Sequence, residues 1–350
     1  MTNVDRRRAL GLVSAGLAFL AGCSESADPS DDDGRSTEES NETTIDPDGE
    51  LPTYASLLPE TNREAYFYGS IDAPTLQSIV ENQHAGDGDD PADPLVGNPI
   101  VLAIRFAQLG DVTAFTVYQE YDETPFEDGE LVDANGVYAL LGSYDRDTLH
   151  TGLESAGYER ERDEDAYTVY SDADSGEAVG LTEDVFACTV PNQFDPGFDP
   201  VDAVERTVAT AAGQRTPKHE IDDDFERLLR SGATGGISLG RYTESDEFDP
   251  DSLGEPQLSA SLEFAFGGVE GANGVHQQLS LESENENGVG DGNVGNDATA
   301  TAVVTYAGDD RVDVDRLESA FGTEADTRDI ARDGASVLIE AEYTGEFAGE

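Results

Sequence analysis

The feature that most constrains this chain is its charge. Nineteen basic residues face 76 acidic ones over 350 residues, a formal balance of −57. Self-repulsion on that scale opposes any compact state at ordinary ionic strength. Molar salt shortens the screening length to about 3 Å and removes most of it. The chain therefore reads as a protein that folds in molar salt. High charge also marks disordered chains. Repeated apolar runs, such as Ile100-Val101-Leu102-Ala103-Ile104, exclude that for the body. Lys218 is the only lysine; every other basic residue is an arginine. Such acidity argues against nucleic acid as a partner, because binding there needs a basic face.

The N-terminus reads as an address. Asp5-Arg6-Arg7-Arg8 precedes an apolar run from Ala9 to Ala21, 13 residues long. As a helix it would reach about 20 Å, short of a bilayer core of about 30 Å. A basic start and a short apolar stretch form a signal peptide rather than a membrane span. Arg6 and Arg7, with Leu10 three residues on, resemble a twin-arginine export signal. Leu20-Ala21-Gly22-Cys23 resembles the lipobox of prokaryotic lipoproteins. That resemblance implies lipid on the Cys23 thiol, cleavage just before it, and attachment to the outer face of the cell membrane. With the extreme acidity, the chain is similar to haloarchaeal-type surface lipoproteins of uncharacterised function.

Residues 24–50 hold eleven acids, one arginine and eight Ser or Thr. Such a stretch cannot bury enough surface to offset its ordering entropy, so it reads as a solvated tether. Asn41-Glu42-Thr43 is a glycosylation sequon within it.

The body predicts an α+β fold. Aspartates 72, 145, 249 and 313 each follow a strand and precede a leucine by four residues. Aspartate suits a helix N-cap, and the leucine begins an apolar face. Each short helix is then followed by two strands. The strand-helix-strand-strand units fall at about 66–120, 136–190, 235–284 and 301–343. Segment 199–231 reads instead as two helices, opened by Asp199-Pro200. The expected organisation is a signal peptide over 1–22, a tether over 23–51 and a first α+β lobe over 52–192. A helical connector over 193–233 and a similar second lobe over 234–346 complete it. The sheets are expected to be antiparallel or mixed, with helices on one face.

No catalytic, cofactor or metal set stands out. Gly236-Ile237-Ser238-Leu239-Gly240 has the letters of a serine-hydrolase elbow but reads as a strand, where the strained turn cannot form. His276 reads as an outward strand residue. Gly290, Gly292 and Gly295 precede a strand, so no helix N-terminus is there to bind phosphate. Asp291, Asn293 and Asp297, and likewise 87–90, lack calcium-motif spacing. His84, His150, His219 and His276 are scattered. Cys188 reads as a buried small hydrophobe. No cofactor is implied. The leading expectation is a lipid-anchored module that binds a ligand or protein partner outside the cell. An extracellular hydrolase and a structural envelope component are the rivals.

Overall fold

The computed structural model describes residues 45–82, 93–121, 129–190, 197–232, 234–253, 264–282 and 297–344. Arg6, Arg7, Cys23 and Asn41 lie outside the described residues. So do His84, 87–90, the glycines at 290, 292 and 295, Asp291, Asn293, and residues 258–263, where alternating apolar residues of the third unit predict a strand over 258–266.

The first strand, β1 (Ala65–Asp72), runs into helix α1 (Ala73–Asn82). Helices α2 (Pro94–Ala107) and α3 (Thr113–Tyr121) follow. Then come β2 (Glu130–Ala134), β3 (Val137–Leu141) and α4 (Arg146–Ala156). Strands β4 (Glu159–Asp163), β5 (Thr168–Asp172), β6 (Glu177–Leu181) and β7 (Val185–Cys188) complete the first half. Helices α5 (Pro200–Ala211) and α6 (Asp223–Ser231) lead to β8 (Ile237–Thr243). The chain ends with β9 (Gly274–Glu282), β10 (Asp297–Thr305), α7 (Val314–Ala320), β11 (Thr327–Asp333) and β12 (Ser336–Tyr343).

All twelve strands join one sheet, in the order β11-β12-β10-β9-β8-β1-β2-β3-β7-β6-β5-β4. Every pairing is antiparallel. The two halves meet at β1 and β8, paired from Ala65↔Thr243 to Ile71↔Ile237. The sheet is thus continuous across the boundary expected between lobes. Both edges carry charge: Glu159-Arg160-Glu161-Arg162-Asp163 on β4 is exposed throughout, and β11 nearly so. Charged edge strands resist pairing with another chain.

Helices cover both faces, not one as the sequence suggested. Face A carries Ile71, Leu239, Val275 and Ile339 under α1, α2, α3, α4 and α7. Face B carries Tyr68, Ala139, Ala187 and Val303 under α5 and α6, with Phe225, Leu228 and Leu229 fully buried. The helical pair therefore forms part of the core instead of a connector. The docked chain also begins before residue 51: Ile45 and Leu51 pack on face B, and Arg230 Nη1 donates to Gly49 O at 2.8 Å.

All four repeated aspartates cap. Asp72 accepts from Thr75 N at 2.8 Å, Asp145 from Thr148 N at 3.1 Å and Asp313 from Arg316 N at 3.1 Å. Asp249 accepts from Asp251 N at 3.0 Å, where only a short 3-10 turn forms. The first unit departs most from expectation. Its run Ile100 to Ile104 lies in α2, packed across β8, β9 and β10, and is not a strand. A buried helix and a buried strand share an unbroken apolar pattern. Residues 264–266 are likewise not in a strand.

Candidate functional site

Two expectations concerned Ser238 and His276. Ser238 lies inside β8, hydrogen-bonded on one side to β1 and on the other to β9, and is 1% exposed. No elbow forms, and both flanking ladders consume the local N–H groups. His276 is not outward: α6 covers its face, and it is 1% exposed. Its Nδ1 sits 2.9 Å from the Tyr68 hydroxyl. Gly240 stands between them in the ladder, opposite Tyr68 on one side and His276 on the other. A Cβ there would lie 2.2 Å from Tyr68 Cζ, so glycine is what lets tyrosine reach histidine. The pair is a structural cross-brace with no room for substrate.

The other described histidines also pair locally. His150 Nδ1 lies 2.6 Å from the Tyr170 hydroxyl, and His219 Nδ1 lies 3.2 Å from Ala55 O. Burial, aided by Arg160 and Arg146, lowers the His150 pKa. Cys188 is fully buried, and burial pushes its thiol up to about 12, so it is unreactive at neutral pH. Among the described residues no group of three or more His, Cys, Asp or Glu could hold a metal. A wide hollow of about 510 Å³ beside His150 is lined mainly by acids.

A more selective concavity lies on face B, where three segments converge. It encloses about 310 Å³. One wall is the extended segment 59–63 leading into β1. The floor is the turn between β2 and β3. The other wall is the start of α5 with the residues before it. Each wall has a local cause. Asn135 (φ 55) and Gly136 (φ 89) form a two-residue hairpin turn in the left-handed region, which Asn-Gly adopts readily. Gly136 N donates to Asp133 Oδ1 at 2.7 Å and fixes the turn. Phe67 N donates to Asn135 Oδ1 at 2.9 Å, and Asn135 N donates to Phe67 O at 3.0 Å, clamping the turn to β1. Asp199 caps α5 by accepting from Asp202 N at 3.1 Å, and Pro200 takes the first helical position.

Into this pocket the fold brings Arg63, Arg206 and Asn135. The Arg63 guanidinium stacks over Phe198 at 5.2 Å. Arg206 Nε is a buried donor without an acceptor among the described residues, and the buried Asn135 Nδ2 has the Tyr66 hydroxyl as its neighbour. Beneath the turn, burial pushes the Asp133 carboxyl up from 3.8 to about 6, against the pull of the Gly136 N–H, Arg105 and Arg63. Sequence reading passed over this cluster. The Asn135-Gly136 hairpin signal was present, but nothing in the sequence places it beside Arg63 and Arg206.

No protein-family model matches the chain, and no curated protein matches it. Among solved structures, crystal form I of TP0453 is similar with a TM-score of 0.39 at 13% identity. The match covers 87% of this chain and 95% of that one. A likeness so remote transfers no role.

Proposed function

We propose that this chain is an exported module, held to the outer face of the membrane by lipid on Cys23, that binds a small ligand in the face B pocket. The observation that supports binding is a formed concavity with a buried donor that has no acceptor among the described residues, Arg206 Nε, beside the buried amide of Asn135. Buried polar groups in folded proteins are nearly always satisfied, so such exceptions point to a missing partner. The anchor is supported by Arg6, Arg7 and the Leu20 to Cys23 motif. Among the described residues no single helix is long and apolar enough to cross a membrane.

The hydrolase alternative draws no support from Ser238, which is sealed within the sheet. A purely structural envelope role leaves the unpaired Arg206 Nε in the pocket unexplained. We read the strand order as two related halves, β1 to β5 with α1 and α4, and β8 to β12 with α7. In this reading, the β6–β7 hairpin is inserted between β3 and β5. The shared capping aspartates support that reading.

Cys23→Ser should release the protein into the medium; unchanged membrane retention would contradict the anchor. Thermal unfolding of the released protein against a library of small solutes tests binding. A ligand at 100 times its Kd should add about 2.7 kcal/mol. A library with no stabilising solute would count against the binding role.

A further inference from the structure

We infer that the face B pocket is an oxyanion site, taking a carboxylate or phosphate group carried on a small organic body. This rests on the ligand-binding reading and specifies the ligand's class. Acids outnumber bases fourfold in this chain. Arg160, Arg162, Arg227, Arg230, Arg311 and Arg316 each hold a carboxylate. Arg206 holds none among the described residues, although it lines a pocket and its Nε is buried.

The second donor is independent of the first. Asn135 is 9% exposed, its Oδ1 is committed to Phe67 N, and its Nδ2 is buried beside the Tyr66 hydroxyl without a well-formed hydrogen bond. Two donors from separate elements, α5 and the β2–β3 turn, line one cavity that, among the described residues, holds a single acid, Asp199. That acid is engaged at the α5 N-cap. A buried amide and a guanidinium whose Nε has no acceptor together ask for oxygen acceptors carrying negative charge.

Salt narrows the choice further. In molar chloride a site built only on net charge would be saturated by halide. A guanidinium instead offers a planar fork that matches two oxygens of one carboxylate or phosphate, which a single spherical ion cannot fill. Phe198, Ala134 and Val137 add apolar wall that halide cannot use. A volume of about 310 Å³ sits at the small end of ligand pockets, so the body attached to the anion is small.

The test is calorimetric titration of the full chain carrying Cys23→Ser in 3 M KCl, a condition set by the charge argument and on the order of molar salt. The titrants are inorganic phosphate, glucuronate, and glucose as the uncharged counterpart. Phosphate or glucuronate should bind and glucose should not. Arg206→Met should raise Kd by about tenfold or more, since tenfold is only about 1.4 kcal/mol. Asn135→Asp keeps the acceptor for Phe67 N and tolerates the left-handed turn, but replaces the donor with a charge. It should therefore abolish anion binding while leaving the circular dichroism spectrum at the titration temperature that of the parent, with a lower Tm because a second buried carboxylate is costly. Binding of glucose as tight as glucuronate would overturn the anion assignment yet leave a binding module. No binding by either anion, or anion binding unaffected by both substitutions, would overturn the inference.

Discussion

Lys218 illustrates how a single residue is chosen. It is 3% exposed, and its Nζ donates to Asp222 at 2.9 Å and Glu244 at 2.8 Å. It also lies 5.7, 5.5 and 5.3 Å from the rings of Tyr66, Phe225 and Tyr242. A compact ammonium can face three rings and two carboxylates at once, where a planar guanidinium cannot. That accounts for one lysine among arginines. Lys218→Met should destabilise the body by about 2 kcal/mol, because it leaves the half-buried Asp222 carboxylate without its counter-charge. At Asp222 burial raises the pKa, but Lys218, the Phe225 N–H and the Tyr242 hydroxyl outweigh it and hold the carboxyl below its usual range. Its contribution is present above the unfolded carboxylate pKa and lost as pH falls through the lower folded value. Acid unfolding of Lys218→Met should therefore begin at higher pH, as read by circular dichroism.

Asp133 has the opposite sign. A folded pKa raised to about 6 means its ionised form opposes folding. The penalty is absent below 3.8, grows towards about 6 and is complete above it. Asp133→Asn retains an acceptor for Gly136 N. It should stabilise the protein above pH 6 by about 3 kcal/mol, about 1.4 kcal/mol accompanying each unit of pKa. Near pH 4 the gain should vanish; equal stabilisation at both pH values would exclude titration of Asp133 as the cause.

At the scale of elements, the row Tyr68–Gly240–His276 ties β1 to β9 across β8. Gly240→Ala would force a buried ring to move and should cost about 1–3 kcal/mol by overpacking, measurable in denaturant titration. Elements differed in how plainly the sequence announced them. The four capping aspartates, the α5–α6 pair and β10 were legible because each has a local signature: an Asp N-cap, Pro at the first helical position, or alternating apolar residues. The inward face of β9 was legible for the same reason, with Val275 and Leu279 fully buried. His276 reads as outward in the sequence, yet is buried, because alternation reveals two chemistries, not whether a helix covers the polar one. Helix α2 was misread because it is buried nearly all round. Its start, Asp93-Pro94, carries the same signal as Asp199-Pro200. Asp93 itself is fully buried, accepting from Leu95 N, Gly322 N, Glu324 N and the Tyr343 hydroxyl at 2.9–3.3 Å. The face B pocket was illegible because its walls come from three segments whose meeting is purely tertiary.

For the whole molecule, one sheet with core on both faces must fold against a charge of −57. Described ion pairs are few against 76 acids, so mobile cations must supply the remaining screening. The body should unfold cooperatively as KCl falls below about 0.5 M, where screening lengthens towards 10 Å. A fold that persists unchanged in dilute buffer would remove the halophilic premise. The proposed membrane attachment makes an independent demand, because it rests on the Cys23 thiol alone.

Intact-mass spectrometry of the chain extracted from cell membranes addresses that thiol directly. The expected species begins at Cys23 and carries the added mass of lipid, with residues 1–22 gone. An unmodified chain that still begins at Met1, recovered from the cytosol, would contradict both the anchor and the extracellular role built upon it.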